Sequence, residues 1–149
     1  MIKEIVETIT GQLAASHSFI FVTDEGEANL DYDNATFPAV VLFLERNFTL
    51  TTLSSGLVQY SYNNLQIAFI NEVQIDSTAD QKYLIQTAET QAANQFLNYL
   101  KERSEWQLVP GNLEQGVSLT ALTEDFDDNI TGVLLNFSAL TLQGSNVCT

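Results

Sequence analysis

Thr78 to Arg103, TADQKYLIQTAETQAANQFLNYLKER, is the segment on which the reading of this chain turns. Its apolar Ile85, Ala88, Ala92, Phe96 and Leu100 recur every three or four residues, which predicts a helix with one buried stripe. Thr78 followed by Gln81 makes a capping box at the start. Lys101 and Arg103 stand at the end, where the helix dipole favours cations. A helix of these 26 residues spans roughly 39 Å at 1.5 Å per residue. No other stretch predicts a long helix, and β-type segments flank it on both sides.

Those flanks read as follows. Ile2, Ile5, Val6, Ile9 and Leu13 share one face of a helix from Ile2 to about Ala15, with Lys3, Glu4, Glu7 and Thr8 opposite. That face suits either the domain's own sheet, the favoured choice, or a neighbouring subunit. Ser18 to Thr23 is a short β-type run. FPAVVLFL, Phe37 to Leu44, is apolar almost throughout, as in a strand covered on both faces, and Pro38 sits at its start. Arg46 to Leu53, a turn at Gly56, Leu57 to Tyr62, a hairpin turn at Asn63-Asn64 and a strand from Leu65 through Ile75 complete an antiparallel meander. After the long helix, Trp106 to Val109 and Val117 to Thr123 read as strands, with an acidic turn from Glu124 to Asn129. The last strand, Ile130 to Leu142, places Val133, Leu135, Phe137 and Ala139 on one face. A strand of that length overhangs an ordinary domain, so its far half is expected to pair with another chain. The predicted class is α+β: a mostly antiparallel sheet packed by one long helix plus an N-terminal amphipathic helix. A single domain covers 1–149, with a flexible tail at 144–149.

The 149 residues can bury a real core, and a hydrophobic fraction of 45% argues against wholesale disorder. Nineteen acids against five bases give a formal net charge of -14. Stable binding to nucleic acid or to anionic membranes requires Lys and Arg that this chain lacks. An acidic wall does let a polyanion pass without sticking. The N-terminus has no uninterrupted apolar core, so no signal peptide is expected, and no run approaches a membrane span. The expectation is a soluble protein used inside a cell. Residues 77–103 hold three acids and three bases, whereas 104–149 hold six acids and no base. The negative field therefore belongs to the sheet and its loops.

No residue pattern points to catalysis. His17 is the one histidine, and its place near the end of the first helix suits a C-terminal cation better than a catalytic base. Cys148 is the one cysteine, which excludes an intrachain disulfide, and it reads as a solvated terminal thiol. No P-loop, G-x-S-x-G or G-x-G-x-x-G occurs. Gly132 is isolated and permits a bulge or a close strand approach. Two acidic runs stand out: Asp24, Glu25, Glu27, Asp31 and Asp33, and then Asp125, Asp127 and Asp128. Solvated loops explain both. A calcium loop is the sharper alternative for the first, yet Gly26 follows Asp24 too closely for the EF-hand pattern. A two-metal or glycosidase-like pair is the alternative for the second, although exposure leaves its carboxyls without cause for raised pKa values. Tyr60 and Tyr62 share a face at strand spacing, and with no bases nearby they read as a packing surface rather than a base-stacking platform. Neither a cofactor nor a metal is expected.

DFDDNITGVLLNFSALTLQGSNVC, Asp125 to Cys148, and FPAVVLFLE, Phe37 to Glu45, stand in a chain ordered as amphipathic helix, acidic loop, meander, long helix and closing hairpin. This order resembles the tail-terminator proteins of tailed bacteriophages and, more loosely, their neck and head–tail joining proteins. The final hairpin and the core strand resemble those of phages with Bacteroidetes-type hosts. The resemblance implies a non-enzymatic virion subunit assembled in the host cytoplasm. Such subunits form a homo-oligomeric ring, commonly six- or twelve-fold, between portal or connector and tail-tube proteins. DNA passes through the ring without being bound, and no membrane is involved. One of the two acidic runs then lines the channel or rims it. The scarcity of Lys and Arg departs from a ring held by intersubunit ion pairs. A monomeric acidic adaptor or inhibitor that binds a basic partner is the alternative, and a hydrolase with an acidic metal site is a further one.

Overall fold

A computed structural model describes residues 2–22, 36–43, 48–52, 58–73, 78–102, 106–108, 118–122 and 130–142. The sequence patterns resolve into two helices and seven strands among these residues: α1 (Ile2–Gln12), β1 (Ser18–Val22), β2 (Ala39–Phe43), β3 (Phe48–Thr52), β4 (Val58–Glu72), α2 (Ala79–Lys101), β5 (Trp106–Leu108), β6 (Ser118–Leu122) and β7 (Ile130–Leu142).

The long helix starts where the capping box places it. Thr78 adopts an extended backbone, its Oγ1 accepts from the Gln81 amide at 3.2 Å, and its own amide donates to Gln81 Oε1 at 2.9 Å. Two amides that the helix cannot satisfy internally are thereby paired. Removing the hydroxyl in Thr78→Ala is expected to cost about 1 kcal/mol, a fall of roughly 2–4 °C in thermal unfolding, with Thr78→Ser close to wild type.

The buried stripe is shifted from the predicted one. Ala92, Phe96 and Leu100 are buried as expected, but Ile85 is half-buried and Ala88 is exposed, while Glu89 and Ala93 are buried. The stripe thus follows 89, 92, 93, 96 and 100, tilted by about one residue from the expected line. Alanines at 92 and 93 let the helix lie close to the sheet, and the Phe96 ring meets Phe69 edge-on with centroids 5.6 Å apart. Ile5, Val6 and Ile9 of α1, with Leu13 just past its end, are buried on the domain's own sheet, as favoured. Ser16, at φ 56, turns the chain from this helix toward β1.

β4 and β7 form the spine of one mixed, mostly antiparallel sheet. Beyond β4 lie β2 and then β1 along one half and β3 along the other; beyond β7 lie β6 and β5. β1 and β2 run parallel, unlike every other described pair. One sheet face carries Val40, Leu42, Leu65, Ile67, Phe69, Val133, Leu135 and Phe137 beneath α1 and α2. The other carries a second cluster, with Val22, Ala39, Val41, Ala68, Ile70, Leu122 and Ile130. β2 is buried on both faces, which accounts for its nearly unbroken apolar run.

Two expectations are corrected together. Asn63-Asn64 is not a hairpin turn but lies inside the 15-residue β4. Tyr62 pairs with Ala139 and Leu65 with Phe137, so two residues of β4 oppose one of β7, a β-bulge. The far half of β7 accordingly does not overhang: Ala139 to Leu142 pair with β4, and Ala139 to Thr141 also pair with β5. The expected turns at Gly56 and at Glu124–Asn129 lie outside the described residues, as does the tail at 144–149.

Candidate functional site

The eight acids singled out in the sequence, Asp24, Glu25, Glu27, Asp31, Asp33, Asp125, Asp127 and Asp128, lie outside the described residues. Cys148 does as well. Tyr60 and Tyr62 occupy β4 positions opposite Leu50 and Phe48 of β3. Among the described residues no three His, Cys, Asp or Glu side chains gather into a metal-binding group, and no helix is long and apolar enough to cross a membrane.

Two other features emerge. The first is a buried polar pair. His17, just beyond the turn at Ser16, places Nε2 2.7 Å from Oε2 of Glu89 in the middle of α2, and the two side chains are 1% and 4% exposed. The imidazole and the Phe69 ring meet in a T-shaped arrangement with centroids 6.4 Å apart, and among the described residues Nδ1 has no hydrogen-bond partner. His17 therefore pairs with Glu89 of α2 and not, as expected, with the C-terminal end of α1. It clasps the α1–β1 junction to α2, beside a second tie from the Ala14 amide to Gln95 Oε1 at 3.4 Å. A pair this enclosed offers no approach to a substrate, so its role is to hold elements in place. The sequence did carry a signal: Glu89 is three, four and seven residues before Ala92, Ala93 and Phe96, on the same helical face. An acid in that phase needs a buried partner, and the chain has one histidine.

The second feature is a surface. Between the N-terminal half of α2 and strands β6 and β7 lies an open groove of about 430 Å³, walled by Tyr83, Gln86 and Thr90 on one side and Leu119 and Ala121 on the other. Behind its wall, Gln86 Nε2 donates to Thr131 Oγ1 at 3.0 Å, which donates to the Leu122 carbonyl at 2.9 Å. Tyr83 is 66% exposed, Leu84 69% and Leu119 38%, the exposed large hydrophobic side chains among the described residues. Ser118 to Ala121 are exposed on both faces of β6, and no described strand lies along its outer edge. Groove and edge are contiguous, and together they can take up polypeptide through backbone hydrogen bonds and apolar contact. The residue pattern predicts this strand but not its exposure, because SLTAL alone does not show which elements pack against it.

No model of a known protein family matches the chain, and no curated protein matches it in sequence.

Proposed function

We propose that this chain is a non-enzymatic structural subunit of a tailed-phage particle, assembling into a ring at the neck or tail end. Six or twelve copies sit between portal or connector and tail-tube proteins, and carboxylates line or rim a channel through which DNA passes unbound. The observation that carries this reading is the edge of β6, uncharged and with no described strand alongside, next to an apolar groove on a chain of net charge -14. Like-charged copies approach each other only through charge-poor surface, and an unprotected strand edge is an efficient place for one copy to meet the next. The order α1, strands, α2 and a closing β6–β7 pair also supports it, since the resemblance to tail terminators rests on that order.

Light scattering at micromolar concentration tests the proposal, alone and after mixing with portal or tail-tube protein. The expected result is a discrete ring and arrested tube growth. The excess of fourteen negative charges equally suits an acidic adaptor or inhibitor of a basic partner. A persistent monomer that leaves tube growth untouched favours that second reading.

A further inference from the structure

We infer that the ring contact is a continuous sheet in which the β6 edge of one copy pairs antiparallel with the β1 edge of the next. This inference rests on the ring reading and specifies its interface. Its basis is the alignment of the two edges across the five-stranded half of the sheet. Ser18, Ala39, Ile70, Gly132 and Leu122 form one row of cross-strand partners. Ile20, Val41, Ala68, Leu134 and Thr120 form the middle row, and Val22, Phe43, Gln66, Asn136 and Ser118 the last. β1 and β6 are thus level with each other, five residues each, at opposite ends of the same rows. β1 runs parallel to β2, and each of the three further steps to β6 is antiparallel, so β1 and β6 point in opposite directions. A second copy set alongside brings its β1 against β6 in antiparallel alignment, without any slip along the strands. The contact uses two different edges, which is what a closed ring with one repeated interface requires.

Chemistry and shape agree with this alignment. Natural sheets protect open edges with charge or proline, yet SFIFV and SLTAL contain neither, in a chain with 24 charged residues. Neither edge has a strand beside it among the described residues. Among the described residues the helix layer also stops short of β6. α1 packs over β1, with Lys3 Nζ 5.3 Å from the centre of the Phe21 ring, and α2 packs over β7 through Phe96 and its neighbours. Above Leu119 and Ala121 there is the groove instead. A neighbour joined through β1 carries its own α1 over that strand, which sets a helix next to Tyr83 and Leu119 and covers them.

Two half-blocked variants test this. L119K/T120K places charge on both faces of β6 and leaves β1 intact, while I20K charges β1 and leaves β6 intact. Sedimentation velocity is expected to show each variant alone as a monomer, and their equimolar mixture as a dimer that grows no further. Circular dichroism establishes that each variant is folded. If I20K does not fold, I20C/T120C in a C148S background replaces it, and oxidation is expected to give a ladder of disulfide-linked copies. A wild-type ring that survives L119K/T120K overturns this inference and leaves the ring reading standing. A mixture that stays monomeric, or an oxidised sample without a ladder, does the same. A wild-type chain that is monomeric throughout overturns the ring reading itself.

Discussion

Replacing Gly132 with alanine is expected to destabilise the protein by about 4 kcal/mol, in the range reserved for severe core defects. For a chain of this size that is a fall of roughly 8–16 °C in melting temperature. A Cβ at position 132 would lie 2.0 Å from the Phe69 carbonyl oxygen and 2.9 Å from Ile70 Cα. Both obstacles are backbone atoms of β4, so no change of rotamer relieves the clash. The β4–β7 ladder, the spine of the sheet, must open at the Ile70–Gly132 pair instead. Gly11 supplies the internal control, because a Cβ there meets nothing within 4 Å. Gly11→Ala, near the end of α1, is expected to leave stability unchanged or raise it by up to about 1 kcal/mol through helix propensity. Thermal unfolding of the two variants side by side checks both signs, and a Gly132→Ala protein that melts with the wild type refutes the close approach.

Breaking the His17–Glu89 pair is the second large effect. His17→Leu leaves a carboxyl group buried in α2 without its partner, and Glu89→Leu leaves an imidazole in the same position. Removing one member of a buried pair costs about 3–5 kcal/mol, whereas replacing both with apolar side chains of similar volume is often neutral or stabilising. Urea unfolding of H17L, E89L and H17L/E89L is therefore expected to show two severely destabilised single variants. The double variant should lie within about 2 kcal/mol of wild type or above it. The resulting coupling exceeds the roughly 0.5 kcal/mol within which independent sites add. Strict additivity would mean that the two side chains do not act as a pair.

Much of the fold can be read from local chemistry. The capping box at Thr78, the buried face of α1 and the two-sided burial of β2 follow from residue types at fixed spacing. Gly132 follows similarly, since an isolated glycine within a strand often marks close backbone approach. What could not be read locally was pairing. A turn at Asn63-Asn64 leaves β7 longer than any partner within the chain, so the residue pattern assigns its surplus to another chain. The two misreadings are one. A 13-residue strand needs a partner of matching length, and the apolar alternation shifts from even positions before 63 to odd positions after 64. A bulge makes that phase change without reversing the chain. The Glu89 position was obscured differently. Ala88 and Glu89 are one residue, about 100°, apart on a helix, and hydrophobicity alone selects the alanine. The phase of Glu89 with Ala92, Ala93 and Phe96 marks it as inward-facing, and the position of His17 in space supplies its partner. The groove depends on how α2 lies beside β6 and β7, which no local pattern encodes.

These features give the proposed assembly its physical basis. The His17–Glu89 clasp fixes the α1–β1 corner to α2, and the close Gly132 contact fixes β7 to β4. Both hold the β1 and β6 edges in register with each other. An edge contact repeated around a ring requires that rigidity, since a small angular error per subunit accumulates before the ring closes.

Native mass spectrometry of the purified chain at micromolar concentration tests the central claim most directly. One dominant species at six or twelve times the 16.5 kDa chain mass is the predicted result. A single 16.5 kDa species at every concentration would contradict it.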